Sequence, residues 1–186
     1  MTEKKFLAEG KIHVPAEISR VIFLRMIMAA GVGFTMFGWM PPRVKAAFRV
    51  GDVPSRVTLS DLRGNSVVVP SDFKGRVVMI HFWASWCPTC RGEMMALESL
   101  YGTYGRKGAT PCSIGIGEKR ETAVSYLKSV TVSYPVLLDP DSSTRKPFGV
   151  AGIPSYFVLD REGAIRYKIL GKADPKGLDR LVRALL

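Results

Sequence analysis

The chain has 186 residues, 47% of them apolar, and 27 Lys and Arg against 16 Asp and Glu give a net charge of +11. This length suits one ordinary domain with some extra chain, and three cysteines are too few for a disulfide-rich scaffold. The charge is spread along the sequence without a basic run interleaved with aromatics, which indicates a solvated basic surface and gives no support to a nucleic-acid-binding role.

The N-terminal part contains one long apolar segment. After a tail at 1–20, residues 21–40 carry a single charge, Arg25, and about twenty apolar residues are enough to span a bilayer. We predict an uncleaved signal anchor here. A cleaved, secreted form stays open, because residues 44–46 fit a small-x-small cleavage pattern that ends at Ala46. Positive charges flank the segment on both sides, so charge alone does not orient it. Residues 41–55 are interpreted as a linker.

The remaining residues, 56–186, show the pattern of an α/β domain. A nearly continuous apolar run at 76–83, RVVMIHFW, is typical of a central strand covered on both faces. We expect further strands at 56–59, 66–69, 110–116, 135–138, 155–159 and 164–170, and helices at 91–103, 119–130, 141–148 and 175–186. This order predicts an α/β sandwich with a mixed sheet flanked by helices.

Two of these helices carry more specific signals. The helix at 119–130 has an apolar face made of Ala123, Val124, Leu127 and Val130. Asp174 is placed to cap the last helix, with Pro175 at its first position.

The stretch HFWASWCPTCRGE, residues 81–93, places a C-x-x-C pair where the buried strand hands over to a helix. Sites in α/β sheets form at the carboxyl ends of strands. We expect Cys87 just at the helix N-terminus, with Pro88 as the first helical residue, where free N–H groups and the helix dipole favour a thiolate. Cys90, one turn further on, should be better covered. Cys87 is therefore predicted as the nucleophile and Cys90 as the resolving thiol.

Other roles for the pair are weaker. A structural zinc site needs four ligands, and the chain offers only one more cysteine, Cys112, and two histidines. A C-x-x-C disulfide closes a very short loop and adds little stability. Cys112 lies in an apolar strand and is interpreted as a small buried hydrophobe, with a third redox thiol as the alternative. We expect no cofactor beyond the Cys87–Cys90 pair and no metal.

A second signal is the stretch Gly152-Ile153-Pro154-Ser155 directly before a late strand. Proline at this position either starts the strand or forms a cis peptide bond in a tight turn. The residues alone leave both open.

Together these motifs resemble the thioredoxin fold and, more narrowly, the membrane-anchored TlpA/ResA/CcmG-like thiol-disulfide oxidoreductases. The resemblance covers 56–186 and rests on W-C-x-x-C after F-W-A, on G-I-P before a late strand and on the D-x-x-G hairpin. An N-terminal hairpin and a helix–strand insertion at 119–138 also fit this branch.

The resemblance implies roles for further residues. Pro154 would be cis and face the dithiol, and the backbone of Ile153 would pair with substrate backbone. Glu93 matches a family glutamate near the dithiol, where a carboxylate can accept the proton of the resolving thiol; the alternative is an exposed helix glutamate. Trp86, Pro88 and Thr89 are further candidates for substrate contact.

Two residues are interpreted as modulating the dithiol, Trp83 and His81. Trp83 would shape the apolar surroundings of the pair. His81 stands where thioredoxin has a buried Asp and this branch usually an Asn. It is either a satisfied core histidine or a group that alters proton handling near the thiols. Met95, in place of a helix-kinking proline, and Ser155, in place of threonine, are two smaller departures.

The implied function is reduction of disulfides in exported client proteins, such as apo-cytochrome c or copper-site assembly proteins, outside the cytoplasm. A membrane dithiol relay would supply the electrons. Two alternatives stay open. A copper-binding assembly factor would need a histidine after His81, which the chain lacks. A thiol peroxidase of the peroxiredoxin type would need Thr and Pro where Ala84 and Ile80 stand.

Overall fold

The computed structural model describes residues 47–186. The predicted tail, the signal anchor at 21–40 and the first part of the linker lie outside the described residues. Within 47–186, no helix combines the length and apolar character needed to cross a membrane.

Seven strands and four α-helices make up the described part. The strands are β1 Val57–Asp61, β2 Ser66–Val69, β3 Val77–Trp83, β4 Ala109–Ile116, β5 Val136–Asp139, β6 Ser155–Leu159 and β7 Ile165–Leu170. The helices are α1 Cys90–Tyr104, α2 Arg120–Leu127, α3 Arg145–Phe148 and α4 Pro175–Leu185. Short 3-10 turns occupy Ser71–Phe73 and Gly105–Lys107.

All strands join one mixed sheet in the order β2-β1-β5-β4-β3-β6-β7. The central strands β3, β4 and β5 are parallel, whereas β6 runs antiparallel to β3 and to β7. The predicted N-terminal hairpin is present, and β1 extends the sheet by pairing antiparallel with β5. The predicted thioredoxin-like α/β fold is confirmed.

The central strand β3 separates two hydrophobic clusters. Val77, Met79 and Trp83 pack on the side of α1 and α4, and Val78 and Phe82 pack on the opposite side. All seven residues of β3 are buried, because side chains alternate between the two covered faces. Each fully buried large apolar side chain contributes about 1.5–3 kcal/mol relative to an exposed one.

The domain begins earlier than predicted. Residues 47–55 were assigned to the linker, but the Phe48 amide donates to the Pro147 carbonyl (2.8 Å) and the Gly51 amide to the Ile165 carbonyl (2.8 Å). The Phe48 ring also packs edge-on against Phe148, with ring centroids 5.1 Å apart. This segment is therefore part of the fold.

The helix α2 is shorter than predicted. It ends at Leu127 rather than 130, and Val124, expected on its apolar face, is 38% exposed. Val130 is still buried, because a tight turn after the helix directs it into the core. In this turn the Val130 amide donates a hydrogen bond to the Leu127 carbonyl (3.3 Å). A pattern of apolar residues can thus continue past a helix end when a tight turn follows it.

The helix α3 is also shorter than the predicted 141–148. The preceding residues form turns in which the Asp139 carboxylate accepts hydrogen bonds from the amides of Ser143 and Thr144 (2.9 and 3.0 Å). These side-chain bonds replace the helical backbone pattern. The predicted start of α4 is confirmed, since the Asp174 carboxylate accepts from the amides of Lys176 and Gly177 and Pro175 is the first helical residue.

Candidate active site

The two cysteines of the C-x-x-C motif lie at the junction of β3 and α1, with Cys90 as the first residue of the helix. They are joined by a disulfide bond, with their Cα atoms 5.5 Å apart. Two successive tight turns lead into the helix: the Cys87 amide donates to the Ala84 carbonyl (3.1 Å), and the Cys90 amide donates to the Cys87 carbonyl (3.3 Å). These turns bring the two sulfur atoms within bonding distance.

The position of Pro88 differs from the prediction. We expected it as the first helical residue, but α1 begins at Cys90, and Pro88 lies in the turn before it. The physical reason is the bond from the Cys90 amide to the carbonyl three residues earlier, which makes a tight turn rather than α-helix. Because the dipole effect falls off within the first helical turn, Cys87 gains less from it than predicted.

A side-chain hydroxyl near Cys87 can supply part of the thiolate stabilisation that was expected from the helix dipole. The Thr89 hydroxyl lies 3.6 Å from the Cys87 sulfur. A disulfide sulfur carries no hydrogen, so the hydroxyl is the donor. After reduction the same group can donate to a Cys87 thiolate.

The two cysteines differ only slightly in solvent exposure. Cys87 is 3% exposed and Cys90 is fully buried, which follows the expected order. The neighbouring Trp86 is 73% exposed, so a large apolar side chain beside the disulfide is free to contact another molecule.

The G-I-P stretch lies beside the start of the disulfide loop. The Ile153–Pro154 peptide bond is cis, and the next residue, Ser155, pairs with Phe82 of β3. A small cavity of about 70 Å³ separates the two loops and is lined by Trp86, Ile153 and Arg145, among others. The fold therefore brings together Trp86, Ile153 and Pro154, which are far apart in the sequence.

The Glu93 carboxylate is buried and held from two sides. Glu93 lies on α1, three residues after Cys90 and therefore on the same helix face, and it is 5% exposed. The Ala173 amide donates to its Oε1 (2.9 Å), and the Tyr156 hydroxyl donates to its Oε2. Burial, together with the carboxylate, raises the pKa of Tyr156, so this hydroxyl stays a donor. The alternative of an exposed helix glutamate is wrong.

Glu93 borders a cleft that is open to solvent. A cleft of about 420 Å³ between α1 and the start of α4 is lined by Pro88, Thr89, Glu93, Lys172 and Ala173, among others. Glu93 is therefore adjacent to solvent although its side chain is only 6% exposed.

His81 lies on β3, directly beside Glu93. Its Nε2 is 3.8 Å from Glu93 Oε2, its Nδ1 is 3.2 Å from the Ser113 hydroxyl oxygen, and its ring stacks on Tyr156 at 4.7 Å between centroids. Burial lowers the pKa of His81 from 6.5 to about 3. The imidazole is therefore neutral near pH 7, and its contact with Glu93 is not an ion pair.

Trp83, the other predicted modulating residue, is buried at the end of β3. Its indole ring stacks on Tyr126, with centroids 5.2 Å apart and planes at 27°. Trp83 belongs to the same hydrophobic cluster as both cysteines, so it forms part of the apolar surroundings of the disulfide, as expected.

Sequence reasoning missed several residues of this region, among them Glu118 and Tyr156. The buried Glu118 carboxylate accepts from the amide and the hydroxyl of Ser85 (2.7 and 2.9 Å), which fixes the start of the disulfide loop. Its position just after a buried parallel strand was a signal that could have indicated it. Tyr156 carried no such signal, because an aromatic residue in a strand usually packs in the core.

The third cysteine, Cys112, is a free, buried residue on β4, in the cluster on the opposite face of the sheet. Burial raises its pKa to about 12, so the thiol is protonated at neutral pH. The interpretation as a small buried hydrophobe is confirmed. No group of three or more His, Cys, Asp or Glu side chains in residues 47–186 is arranged to hold a metal ion.

Known proteins share both the fold and the motif-bearing region. The family described as Redoxin matches residues 47–185. The thiol-disulfide oxidoreductase ResA of Bacillus cereus is 28% identical over 167 residues, covering 89% of this chain and 94% of the relative. ResA of Bacillus subtilis is 26% identical over 156 residues, covering 82% and 86%.

Solved structures give the same assignment. A Chlorobium tepidum protein described as the thiol:disulfide interchange protein DsbE superposes with a TM-score of 0.71 at 29% identity, covering 75% of this chain and 99% of the other. The thioredoxin domain of a thiol-disulfide oxidoreductase from Bacteroides vulgatus superposes with a TM-score of 0.65 at 27% identity, covering 73% and 99%. With a C-x-x-C disulfide at the strand-to-helix junction, the chain belongs to the Redoxin family, in the TlpA/ResA/CcmG-like group of the thioredoxin superfamily, and is a thiol-disulfide oxidoreductase.

Proposed function

We propose that the protein reduces disulfides of exported client proteins outside the cytoplasm, using the Cys87–Cys90 pair and no further cofactor. The observation that carries this proposal is the Glu93 carboxylate, buried three residues after the resolving cysteine and supplied with a cleft to solvent. A reductant must remove a proton from its buried resolving thiol, and this carboxylate, on the same helix face as Cys90, is the proposed acceptor.

The reaction begins at Cys87. Its thiolate, with the Thr89 hydroxyl as donor, attacks one sulfur of the client disulfide and releases the other client sulfur as a thiolate. A mixed disulfide between Cys87 and the client results. The exposed Trp86 indole and the Ile153 backbone are the proposed contacts for the client segment around its cysteine.

The second step involves Cys90. Its thiol gives its proton to Glu93, and the resulting thiolate attacks the Cys87 sulfur. The Cys87–client bond breaks and the Cys87–Cys90 bond forms, so two electrons have passed from the dithiol to the client. Two client thiolates are released in the two steps. One takes up the proton that Cys90 gave to Glu93, and the other takes up from solvent the proton that Cys87 lost when it ionised, so the client leaves as a dithiol.

The location and the partners are further parts of the proposal. The apolar segment at 21–40 would anchor the protein in a membrane, and a membrane dithiol relay would reduce the Cys87–Cys90 bond again. Apo-cytochrome c or copper-site assembly proteins are the proposed clients. The relatives named thiol-disulfide oxidoreductase support the reaction class.

Redox equilibration of the full-length protein with glutathione tests the direction of electron flow. We expect a reduction potential well below that of glutaredoxins, which lie at about −200 to −230 mV. A value near about −120 mV, where the strong oxidant DsbA lies, would make the protein an oxidant and overturn the proposal.

Trapping in the native host tests the location and the clients. Cys90→Ala removes the resolving thiol, so client proteins should stay bound to Cys87 as mixed disulfides that mass spectrometry can identify. Exported proteins among the trapped species support an extracytoplasmic site, whereas exclusively cytoplasmic ones contradict it. The matched control is the Cys87→Ala, Cys90→Ala double variant, which should trap nothing.

A further inference from the structure

The imidazole of His81 has one nitrogen that the rest of the site leaves unused. His81 Nε2 is buried and has no hydrogen-bond partner among residues 47–186. The polar atom it faces is Oε2 of Glu93, at 3.8 Å. A buried polar atom without a partner costs stability, so the arrangement calls for an explanation.

A chain of hydrogen bonds on the other side of the ring fixes its tautomer. The chain runs from His81 Nδ1 to the Ser113 hydroxyl (3.2 Å), then to the Tyr134 hydroxyl (3.2 Å) and to the Met94 carbonyl (3.4 Å). A carbonyl oxygen only accepts, so Tyr134 donates to it, Ser113 donates to Tyr134, and His81 Nδ1–H donates to Ser113. The hydrogen of the neutral ring is therefore on Nδ1, and Nε2 presents a bare lone pair.

Two hydrogen-bond acceptors, His81 Nε2 and Glu93 Oε2, therefore face each other. An ionised Glu93 carboxylate can only accept, and it already accepts from Tyr156 and Ala173. The bare Nε2 of His81 can only accept as well. A proton on Glu93 Oε2 would change this, because the new O–H group could donate to Nε2 once the two atoms, now 3.8 Å apart, approach to hydrogen-bond distance.

We propose that His81 is a positioning residue that stabilises the protonated form of Glu93 during resolution. When Glu93 takes the proton of Cys90 on Oε2, that O–H group donates to His81 Nε2, and no electrons move. The proposal rests on the proposed function, in which Glu93 accepts this proton.

The surroundings favour a neutral imidazole in this role. Among residues 47–186, the titratable groups in contact with the ring or with its hydrogen-bond chain include Glu93 on α1, Tyr156 on β6 and Tyr134 before β5. Glu98 on α1 and Cys112 on β4 are close enough to Tyr134 to influence it electrostatically. Burial raises the pKa of both tyrosines, so neither is charged near neutral pH. Burial also keeps the pKa of His81 low, so the ring accepts a hydrogen bond without taking the proton itself.

Two substitutions of His81 distinguish the contributions of its two ring nitrogens. His81→Gln places an amide oxygen near the position of Nε2, whereas His81→Asn retains a polar group only near the position of Nδ1. The measurement is the rate at which the full-length protein resolves a preformed mixed disulfide with a peptide, recorded as a function of pH. Circular dichroism first confirms that both variants are folded.

We expect the acid limb of this profile to lie at the same pH in wild type and in His81→Gln. In His81→Asn the protonated carboxyl loses its acceptor, so the limb should move to lower pH by about one unit, the size of one hydrogen bond. The proposal would be overturned if the acid limb of His81→Asn lay at the same pH as that of the wild type. It would also be overturned if the acid limb moved equally in both variants, because this would indicate a packing role only.

A spectroscopic measurement on the unmutated site keeps the proposal testable if a variant does not fold. In full-length protein labelled with ¹⁵N-histidine, the His81 signals should show hydrogen on Nδ1 and none on Nε2 at neutral pH. His13→Gln assigns the signals, because the chain has only two histidines. Hydrogen on Nε2 would contradict the proposal.

The Glu93→Gln variant distinguishes a failure of the proposed function from a failure of the inference about His81. If Glu93→Gln leaves the wild-type pH profile unchanged, Glu93 is not the acceptor, and that part of the proposed function fails irrespective of His81. If Glu93→Gln changes the profile but the two His81 variants behave alike, only the inference about His81 fails.

Discussion

The two faces of the central sheet each pack a buried cluster but differ in chemistry. The face under α1 and α4 holds the disulfide, Glu93, His81 and Tyr156, whereas the opposite face is filled by apolar side chains, including Phe82, Phe148 and Phe157. Each face also buries a cysteine completely, Cys90 on the first and Cys112 on the second.

The comparison between these two cysteines shows what makes a buried thiol useful. Burial alone raises the pKa of a thiol, as it does for Cys112, and leaves it inert. Cys90 is buried to the same extent, but it has a second cysteine within bonding distance and a carboxylate three residues further along its helix. The neighbours, rather than the degree of burial, distinguish the two thiols.

The largest expected effect comes from the nucleophile. Cys87→Ala should reduce disulfide reduction, for instance of insulin, to the uncatalysed rate, because no other described thiol is placed to attack. Cys112→Ala is the matched control: activity should be unchanged, at a cost of about 1 kcal/mol in the free energy of unfolding. Loss of activity in Cys112→Ala would break the distinction between the two faces.

The next effect concerns proton transfer on the dithiol face. Glu93→Gln keeps the shape of the side chain but removes the carboxylate, so resolution of the mixed disulfide should slow by about 100-fold or more, in the range of general acid–base catalysis. Stopped-flow measurement of client release checks this. Glu118→Gln is the control, because its remaining amide oxygen can still accept from Ser85. Equal slowing in both variants would indicate a general electrostatic effect.

The apolar face should matter for stability and not for chemistry. Phe157→Ala removes a fully buried ring that packs against Phe82 and Phe148 at 5.7 and 5.1 Å between centroids. The free energy of unfolding should fall by about 3–5 kcal/mol, measured by urea denaturation. The pH profile of the folded protein should stay as in the wild type, and a displaced profile would show that the two faces are coupled.

Near neutral pH the smallest effect is the contribution of His81 to stability, which grows only as the pH falls. Its folded-state pKa of about 3 lies below the ordinary 6.5, so the unfolded chain binds this proton at a higher pH than the folded protein does. Unfolding should therefore become easier as the pH falls from about 6.5 toward about 3, by up to about 1.4 kcal/mol per pH unit. Denaturation of His81→Gln at several pH values should lack this contribution; equal slopes in both proteins would contradict it.

Much of the fold could be predicted from the sequence. Buried parallel strands such as β3 and β4 have continuous apolar runs, and the D-x-x-G turn and the Asp174-Pro175 cap are local signals with a direct physical cause. One failure occurred where a local hydrogen bond replaced a regular pattern, and another where a long-range contact could not be seen in the sequence. Pro88 lies outside the helix because of a three-residue turn, and Phe48, an aromatic residue in the predicted linker, packs on the domain.

The site could be predicted only in part. C-x-x-C and G-I-P are motifs, but the contact between His81 and Glu93 depends on which helix covers which face of β3. The pairing of His81 with Tyr156 depends on the register between β3 and β6. No periodicity in the sequence carries either fact, so Tyr156 and the Ser113–Tyr134 chain were found only in the structure.

The most direct test of the central claim is to map where a client disulfide attaches. Full-length Cys90→Ala, reduced and mixed with a disulfide-containing peptide, should carry the peptide on Cys87 alone when analysed by mass spectrometry, with Cys112 unmodified. Peptide on Cys112, or no adduct on Cys87, would contradict the assignment of the redox centre to the disulfide at the strand-to-helix junction.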